Sequence, residues 1–356
     1  MIALLLVACA SSDPGAWRAG ELVVEQIGLA AGTIGEAALI VGPDGTSVLL
    51  DVGNDAHAGA VRDAVVRHLG EPRVDWIVLT HFHADHVGAM DELDVAVGSG
   101  VITRGPYDLD PEAANADEWA EVAALRGTLP FVDLCEGPEE APADISAGGP
   151  WPAGGCAGLA GAGDSDGIGI VPLGEGAALR VIVGDGFTAT DHAEVGADEN
   201  ARSLGGTIRW GDFSYWWGGD LTGGGKGTPD VEGWLATALD PSDLPAEGVD
   251  VAHLHHHGIS SSTSAAWVDR LLPDGGGDRH VVIGATGSYL SAPSEDALTM
   301  VSDRLGAGSA WATETGWTAG NDPRLVVAHG GVLVRVSEGG DRCSVEADGS
   351  AAACGG

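Results

Sequence analysis

Twelve histidines occur in the 356 residues, and seven of them fall in two short groups. His81, His83 and His86 lie in Thr80-His81-Phe82-His83-Ala84-Asp85-His86; His253, His255, His256 and His257 form the other group. Residues two apart on an extended segment project to the same side, so His81 and His83 can chelate one ion. Asp85 and His86 come at the start of the turn that follows, displaced enough to reach a second ion nearby. Imidazole combined with carboxylate suits Zn²⁺, with Mn²⁺ or Fe²⁺ as alternatives. The chemistry expected of such a pair of ions is activation of water for hydrolysis.

These residues need a scaffold that delivers them to one place. Apolar and alternating runs predict strands over 21–28, 36–42 and 46–52, and Val61, Val65 and Leu69 show helical spacing within 58–69. A strand over 74–79 runs straight into the first histidine group, as α/β proteins do when they present a site at the carboxyl ends of strands. A helix over 111–126 is followed by Gly, Ala, Pro and Asp with little periodicity over 137–169, read as an inserted loop. Strands are expected again over 178–184, 204–210 and 213–217, the last two forming a hairpin about Gly211-Asp212. A helix over 231–239, a strand over 249–254, a helix over 263–272, a strand over 280–285 and a helix over 294–305 follow. Short strands over 325–328 and 332–336 close the domain. Ser260, Ser261 and Ser262 read as capping groups for the helix near Thr263 rather than nucleophiles. Trp210, Trp216, Trp217 and Trp234 read chiefly as packing.

The segment from His81 to His86 meets the H-x-H-x-D-H motif of the metallo-β-lactamase superfamily without a mismatch, and the sequence resembles that family elsewhere too. Leu49-Leu50-Asp51-Val52-Gly53 resembles its early strand ending in Asp and Gly, where the Asp supports a ligand. Trp217-Gly218-Gly219-Asp220 looks like the strand whose Asp bridges two metals, and His256-His257-Gly258 like the late His-Gly motif. Asn200 to Ser203, Asp250 through Gly258 and the Pro293-Ser294 helix start are most similar to the metallo-β-lactamase-like domain of ComEC-type DNA-uptake competence proteins. The likeness covers roughly residues 22 to 335, less the insert.

The resemblance implies a four-layer αββα sandwich over 21–336 carrying an insert at about 137–175. It also implies a dinuclear site, most simply two Zn²⁺, held by His81, His83, Asp85, His86, Asp220 and His256. For the third ligand of the first metal, which the family takes from between the two halves, His192 and Asn200 are the residues available. Three consecutive histidines leave the late ligand open among His255, His256 and His257; His256 is favoured, with His257 beside it as an outer partner or substrate contact. Asp85 would ligate and orient the nucleophile, and His257 or His253, which replaces a family lysine, would donate to the leaving group. Phosphodiester hydrolysis of the nucleotide or nucleic-acid type is the implied activity. Hydrolysis of small esters, lactones or thioesters is the main alternative, followed by β-lactam hydrolysis and a non-catalytic metal-containing envelope module.

Composition limits the partners. Fifty-three acidic residues against sixteen basic ones give a formal charge of −37, with Lys226 the single lysine. Bulk attraction to nucleic acid or anionic lipid is excluded, so long nucleic acid is disfavoured and a small or short substrate is expected. Residues 2–8 are apolar and end at Cys9, and Leu6-Val7-Ala8-Cys9 resembles a bacterial lipobox, so residues 1–20 read as leader and linker. A lipid on Cys9 would be the only membrane contact. Cys135 with Cys156, and Cys343 with Cys354 in an acidic tail over 337–356, are expected to pair by proximity, in an extracytoplasmic compartment. Nothing in the sequence sets an oligomeric state.

Overall fold

In the computed structural model the described residues are 15–29, 33–105, 116–135, 155–161, 163–196, 198–273, 278–285, 292–313 and 322–355. Cys9 with its apolar run, and most of the Gly/Pro-rich insert, lie outside them.

The first sheet takes its opening strands in chain order: β1 (Leu22–Ile27), β2 (Ala38–Val41), β3 (Ser47–Leu50), β4 (Arg73–Val78), β5 (Ala96–Thr103) and β6 (Phe131–Asp133). The chain then crosses to a second sheet of β7 (Ile170–Gly174), β8 (Ala177–Val183), β9 (Gly205–Trp210), β10 (Phe213–Gly218), β11 (Val251–His253), β12 (His280–Ile283), β13 (Ala310–Thr313) and β14 (Leu325–Ala328). It returns to the first sheet with β15 (Gly331–Ser337), β16 (Arg342–Ala347) and β17 (Ser350–Cys354). The first sheet has nine strands in the order β17-β16-β15-β1-β2-β3-β4-β5-β6, and the second has eight, running from β14 down to β7.

Two-residue alternation explains why the sheets stack. In β3, Val48 and Leu50 face the second sheet while Leu49 faces outward; in β10, Phe213, Tyr215 and Trp217 face inward while Trp216 faces the other way. The outer face of the first sheet is covered by α1 (Ala58–Leu69), through Val61, Ala64 and Val65, and by segments near α2 (Ala84–Val87) and α3 (Ala116–Leu125). The outer face of the second is covered by α4 (Val231–Ala238), α5 (Ala265–Leu271) and α6 (Glu295–Leu305), through residues such as Leu235, Trp267 and Leu298. Each large apolar side chain buried this way contributes roughly 1.5–3 kcal/mol relative to exposure. The result is the expected four-layer αββα sandwich.

Three features differ from the sequence expectation. The two closing strands are not neighbours: β14 is an edge of the second sheet, whereas β15 pairs antiparallel with β1 in the first. Residues 342–354, read as a tail, form a hairpin that extends that sheet, with Cys343 opposite Cys354 and bonded to it. Strands β5, β6, β7 and β13 were not anticipated, β5 because Gly98 and Gly100 interrupt its apolar run. The other expected pair, Cys135 with Cys156, is also bonded. Among the described residues, no helix is long and apolar enough to cross a membrane.

Candidate metal centre

The carboxyl ends of parallel strands from both sheets converge. In the first sheet β3 and β4 run parallel, and their ends deliver Asp51 and the segment 80–86. In the second, β10, β11 and β12 run parallel, and their ends deliver Asp220, the segment 254–257 and Gly284. The sheets are hooked together there by Leu204 N donating to Thr80 O at 2.8 Å. The His81–His86 loop is held from beneath by Glu199, whose Oε1 accepts from Phe82 N at 2.9 Å and whose carboxylate pairs with the buried Arg104.

Asp51 organises two ligands at once. Its Oδ2 accepts from Thr80 Oγ1 at 2.7 Å and lies 2.8 Å from His86 Nδ1. Thr80 has only one hydroxyl proton, so having given it to Asp51 it accepts from His81 Nδ1, 3.1 Å away. Both imidazoles are thereby fixed with Nδ1 protonated and Nε2 free to face the centre. Gly219 is required here, because a Cβ at that position would stand 2.4 Å from Thr80 Oγ1.

The Nε2 atoms meet Asp220, which is buried between them. Its Oδ2 lies 3.7 Å from His81 Nε2, and its Oδ1 lies 3.2 Å from His86 Nε2. His81 Nε2 and His83 Nδ1 are 3.1 Å apart, close to the about 3.3 Å between two ligands of one tetrahedral Zn²⁺. On the other side, His257 Nε2 lies 3.4 Å from Asp85 Oδ2, and His86 Nε2 lies 3.9 Å from it. Donor atoms of His81, His83 and Asp220 all fall within 4.8 Å of one another, and so do donor atoms of Glu36, His86, Asp220 and His257.

These residues fit divalent cations. His86 Nε2 and Asp220 Oδ1 are fully buried, yet neither is aligned for a hydrogen bond with any described group. Buried polar atoms rarely go unpaired, and here they face one another across the space an ion would fill. Without an ion, protons balance the carboxylates. Burial works against charge on His86, but Asp220, Asp85 and Asp51 outweigh it and hold its pKa well above the usual histidine value. Burial likewise opposes charge on His257, yet Asp85, Asp220 and Glu36 push it up to about 9. Burial and the neighbouring His86 keep His81 well below its usual value, and burial lowers His256. Asp85 and Asp220, despite burial, are held below the carboxylate range by the histidines around them.

The second histidine group separates into distinct roles. His255 accepts from Trp216 Nε1 at 2.8 Å, and its Nδ1 lies 2.8 Å from Glu232 Oε1, so both ring nitrogens are committed away from the centre. His256 and His257 both adopt left-handed backbone, with φ of 51° and 56°, a strained pair of the kind found at functional sites. His256 Nε2 lies 3.4 Å from Asp220 Oδ2, on the side of His81, with Ser261 Oγ 3.2 Å from its Nδ1. His257 gives its Nδ1 proton to Gly284 O at 2.6 Å and faces Asp85 with Nε2. The expected division is thus reversed: His257, not His256, joins Asp85 and His86.

His253 corrects another expectation. Expected as a donor to the leaving group, it is instead buried and paired through Nε2 with Glu36. His192 is exposed, its ring stacked on Phe187, and the structure does not bring it to the centre. Asn200 lies in the short turn before β9, its Oδ1 buried without a hydrogen bond. The cap of α5 is Ser264, whose side chain accepts from Trp267 N, leaving Ser261 for His256. Glu36 was missed by the sequence reading. Its one signal is a carboxylate at the head of the apolar run that becomes β2.

Residues 32–161 match the family model described as the metallo-beta-lactamase superfamily. No curated protein matches the chain. Among solved structures, a metallo-beta-lactamase from Cronobacter sakazakii (a HARLDQ motif mutant) is 19% identical, over 63% of this chain and 74% of its own, with a TM-score of 0.33. MEM-A1, a subclass B3 metallo-beta-lactamase isolated from a soil metagenome library, is 16% identical, over 81% of this chain and 93% of its own, with a TM-score of 0.34. The motif strand, its loop and the supporting Asp51 all lie inside the segment, residues 32–161, that matches the metallo-beta-lactamase superfamily model.

Proposed function

We propose that this protein is a metal-dependent hydrolase with two cation positions that share Asp220, acting on phosphodiesters of small or short substrates. The observation that carries the reading is the carboxylate of Asp220, buried with one oxygen toward His81 and the other toward His86. Divalent cations bound there lower the pKa of water and polarise the scissile group. The chain's own contribution is positional. Asp51 fixes the tautomers of His81 and His86, Asp85 would orient the attacking water, and His256, whose side chain is 13% exposed beside Ser261, would meet the substrate. The phosphodiester preference is supported by the likeness of the Asn200 and Asp250 to Gly258 motifs to ComEC-type proteins. The charge of −37 favours short substrates and keeps small esters and lactones as the second reading. Two disulfides support placement outside the cytosol, with Cys9 as the candidate lipid anchor.

The test is metal analysis of the purified protein with assays on bis-p-nitrophenyl phosphate, a lactone and a chromogenic cephalosporin, alongside His83→Ala and Asp220→Ala. Phosphodiester turnover that falls about 100-fold or more in both variants is expected. Absence of bound metal, or turnover unchanged in both variants, would refute the reading.

A further inference from the structure

Glu36 belongs to none of the motifs that build the centre, yet it sits against it. The residue is 5% exposed. Its Oε1 is held by His253 Nε2 and by Gln26 Nε2, the latter at 3.2 Å. Its Oε2 is buried and has no hydrogen bond. That oxygen lies 3.5 Å from His257 Nδ1, whose proton is already given to Gly284 O. A buried carboxylate oxygen with no hydrogen bond, and only the His257 ring near it, is costly to keep, and His253 and Gln26 serve only the other oxygen.

The surroundings are arranged to keep it there. Glu36 N donates to Asp85 O at 2.9 Å, fastening the residue to the metal loop. Opposite it, position 284 is glycine; a Cβ there would lie 2.3 Å from Glu36 Oε1 and 2.6 Å from Gln26 Nε2, displacing both. The donor group that includes Glu36 also contains His86, Asp220 and His257, all within 4.8 Å of one another.

Resting on the two-cation reading above, we infer that Glu36 is an oxygen ligand of the cation on the His86–His257 side and makes the two positions chemically unequal. On the His81–His83 side the donors are imidazoles plus the shared Asp220, a set that suits Zn²⁺. On the other side Asp220 and Glu36 join the imidazoles of His86 and His257. Two carboxylates favour a harder cation of higher coordination number, Mn²⁺ in particular, relative to what histidines alone would hold.

The experiment uses chelator-stripped, full-length protein titrated with Mn²⁺ and, separately, Zn²⁺, followed by calorimetry and by the Mn²⁺ electron paramagnetic resonance signal. Glu36→Gln is expected to weaken Mn²⁺ binding at one position at least tenfold while Zn²⁺ binding at the other changes less than threefold. Equal weakening for both metals at the same position would make Glu36 a positioning residue and overturn the inference. Crystals of the Mn²⁺-loaded wild-type protein provide a check that needs no variant. Anomalous density within about 2.3 Å of a Glu36 oxygen supports the ligand, and density far from both oxygens overturns it. Two bound cations and hydrolysis with Glu36 remote would sink this inference alone; no metal uptake would sink the proposed function with it.

Discussion

Metal uptake by this protein should be strongly coupled to proton release. In the metal-free centre His257 is raised to about 9 and His86 well above its usual value, so both carry protons at neutral pH. A ligand nitrogen must be deprotonated, and those protons must leave. At pH 7 about 1% of His257 is neutral, a cost of about 3 kcal/mol to the cation that binds there, and His86 adds a cost of the same sign. Apparent affinity should therefore rise about tenfold per pH unit between pH 6.5 and 8.5 from His257 alone, and up to about 100-fold if both protons are released. Calorimetric titration in buffers of different ionisation enthalpy counts those protons, and one to two per cation are expected, fewer in His257→Gln. The same shift acts on folding. The folded value of His257 lies above the unfolded value near 6.5, so its contribution of about 3 kcal/mol is complete below pH 6.5 and fades as pH rises through about 9. The metal-free protein should melt at lower temperature at pH 9 than at pH 6.5. An affinity flat from pH 6.5 to 8.5, or release of less than half a proton, would refute the assignment of His86 and His257 as protonated ligands.

Two further outcomes follow from the arrangement around the centre. His192→Ala should leave metal stoichiometry and affinity unchanged within twofold by calorimetry, since His192 is exposed and stacked on Phe187; loss of one cation would show that the centre recruits it. Glu232→Ala should destabilise the fold by roughly 3–5 kcal/mol in urea unfolding, because the fully buried carboxylate accepts from Thr263 N, Ser264 N and the His255 ring together. A loss below about 1 kcal/mol would mean those donors find other partners.

The parts of the centre that the sequence exposes are those where spacing along one segment sets geometry. His81 and His83 share a side because the chain is extended there, and Asp85 and His86 follow because a short helix begins at Ala84. Asp51 and Asp220 are visible because each ends an apolar strand. Spacing says nothing about atoms that meet across sheets. His253 is 217 residues from Glu36, and nothing local to either announces the pair. The three consecutive histidines illustrate the other limit. Their roles are decided by two left-handed residues in a row, which turn His255 into the core beside Trp216 while His256 and His257 face opposite oxygens of the centre. For the fold, strands with strong apolar alternation were legible. Those carrying glycine, such as β5, or alternating with charge, such as β16, were not, because their pairing partners rather than their own propensity hold them in place.

The central position of β1 in the first sheet bears on how the chain can fold. Its neighbours are β2 on one edge and β15 on the other, and Val24 lies opposite Val334. During synthesis or refolding, the edge of β1 therefore stays open until more than 300 further residues have arrived. An unpaired, apolar strand edge held open that long is a template for association with other chains. Long-range pairing of this kind also slows folding, because the closure of so large a loop must precede the contacts that stabilise it. Truncation before residue 331 should leave a chain that aggregates rather than a smaller folded unit, even though every group proposed to hold a cation would still be present.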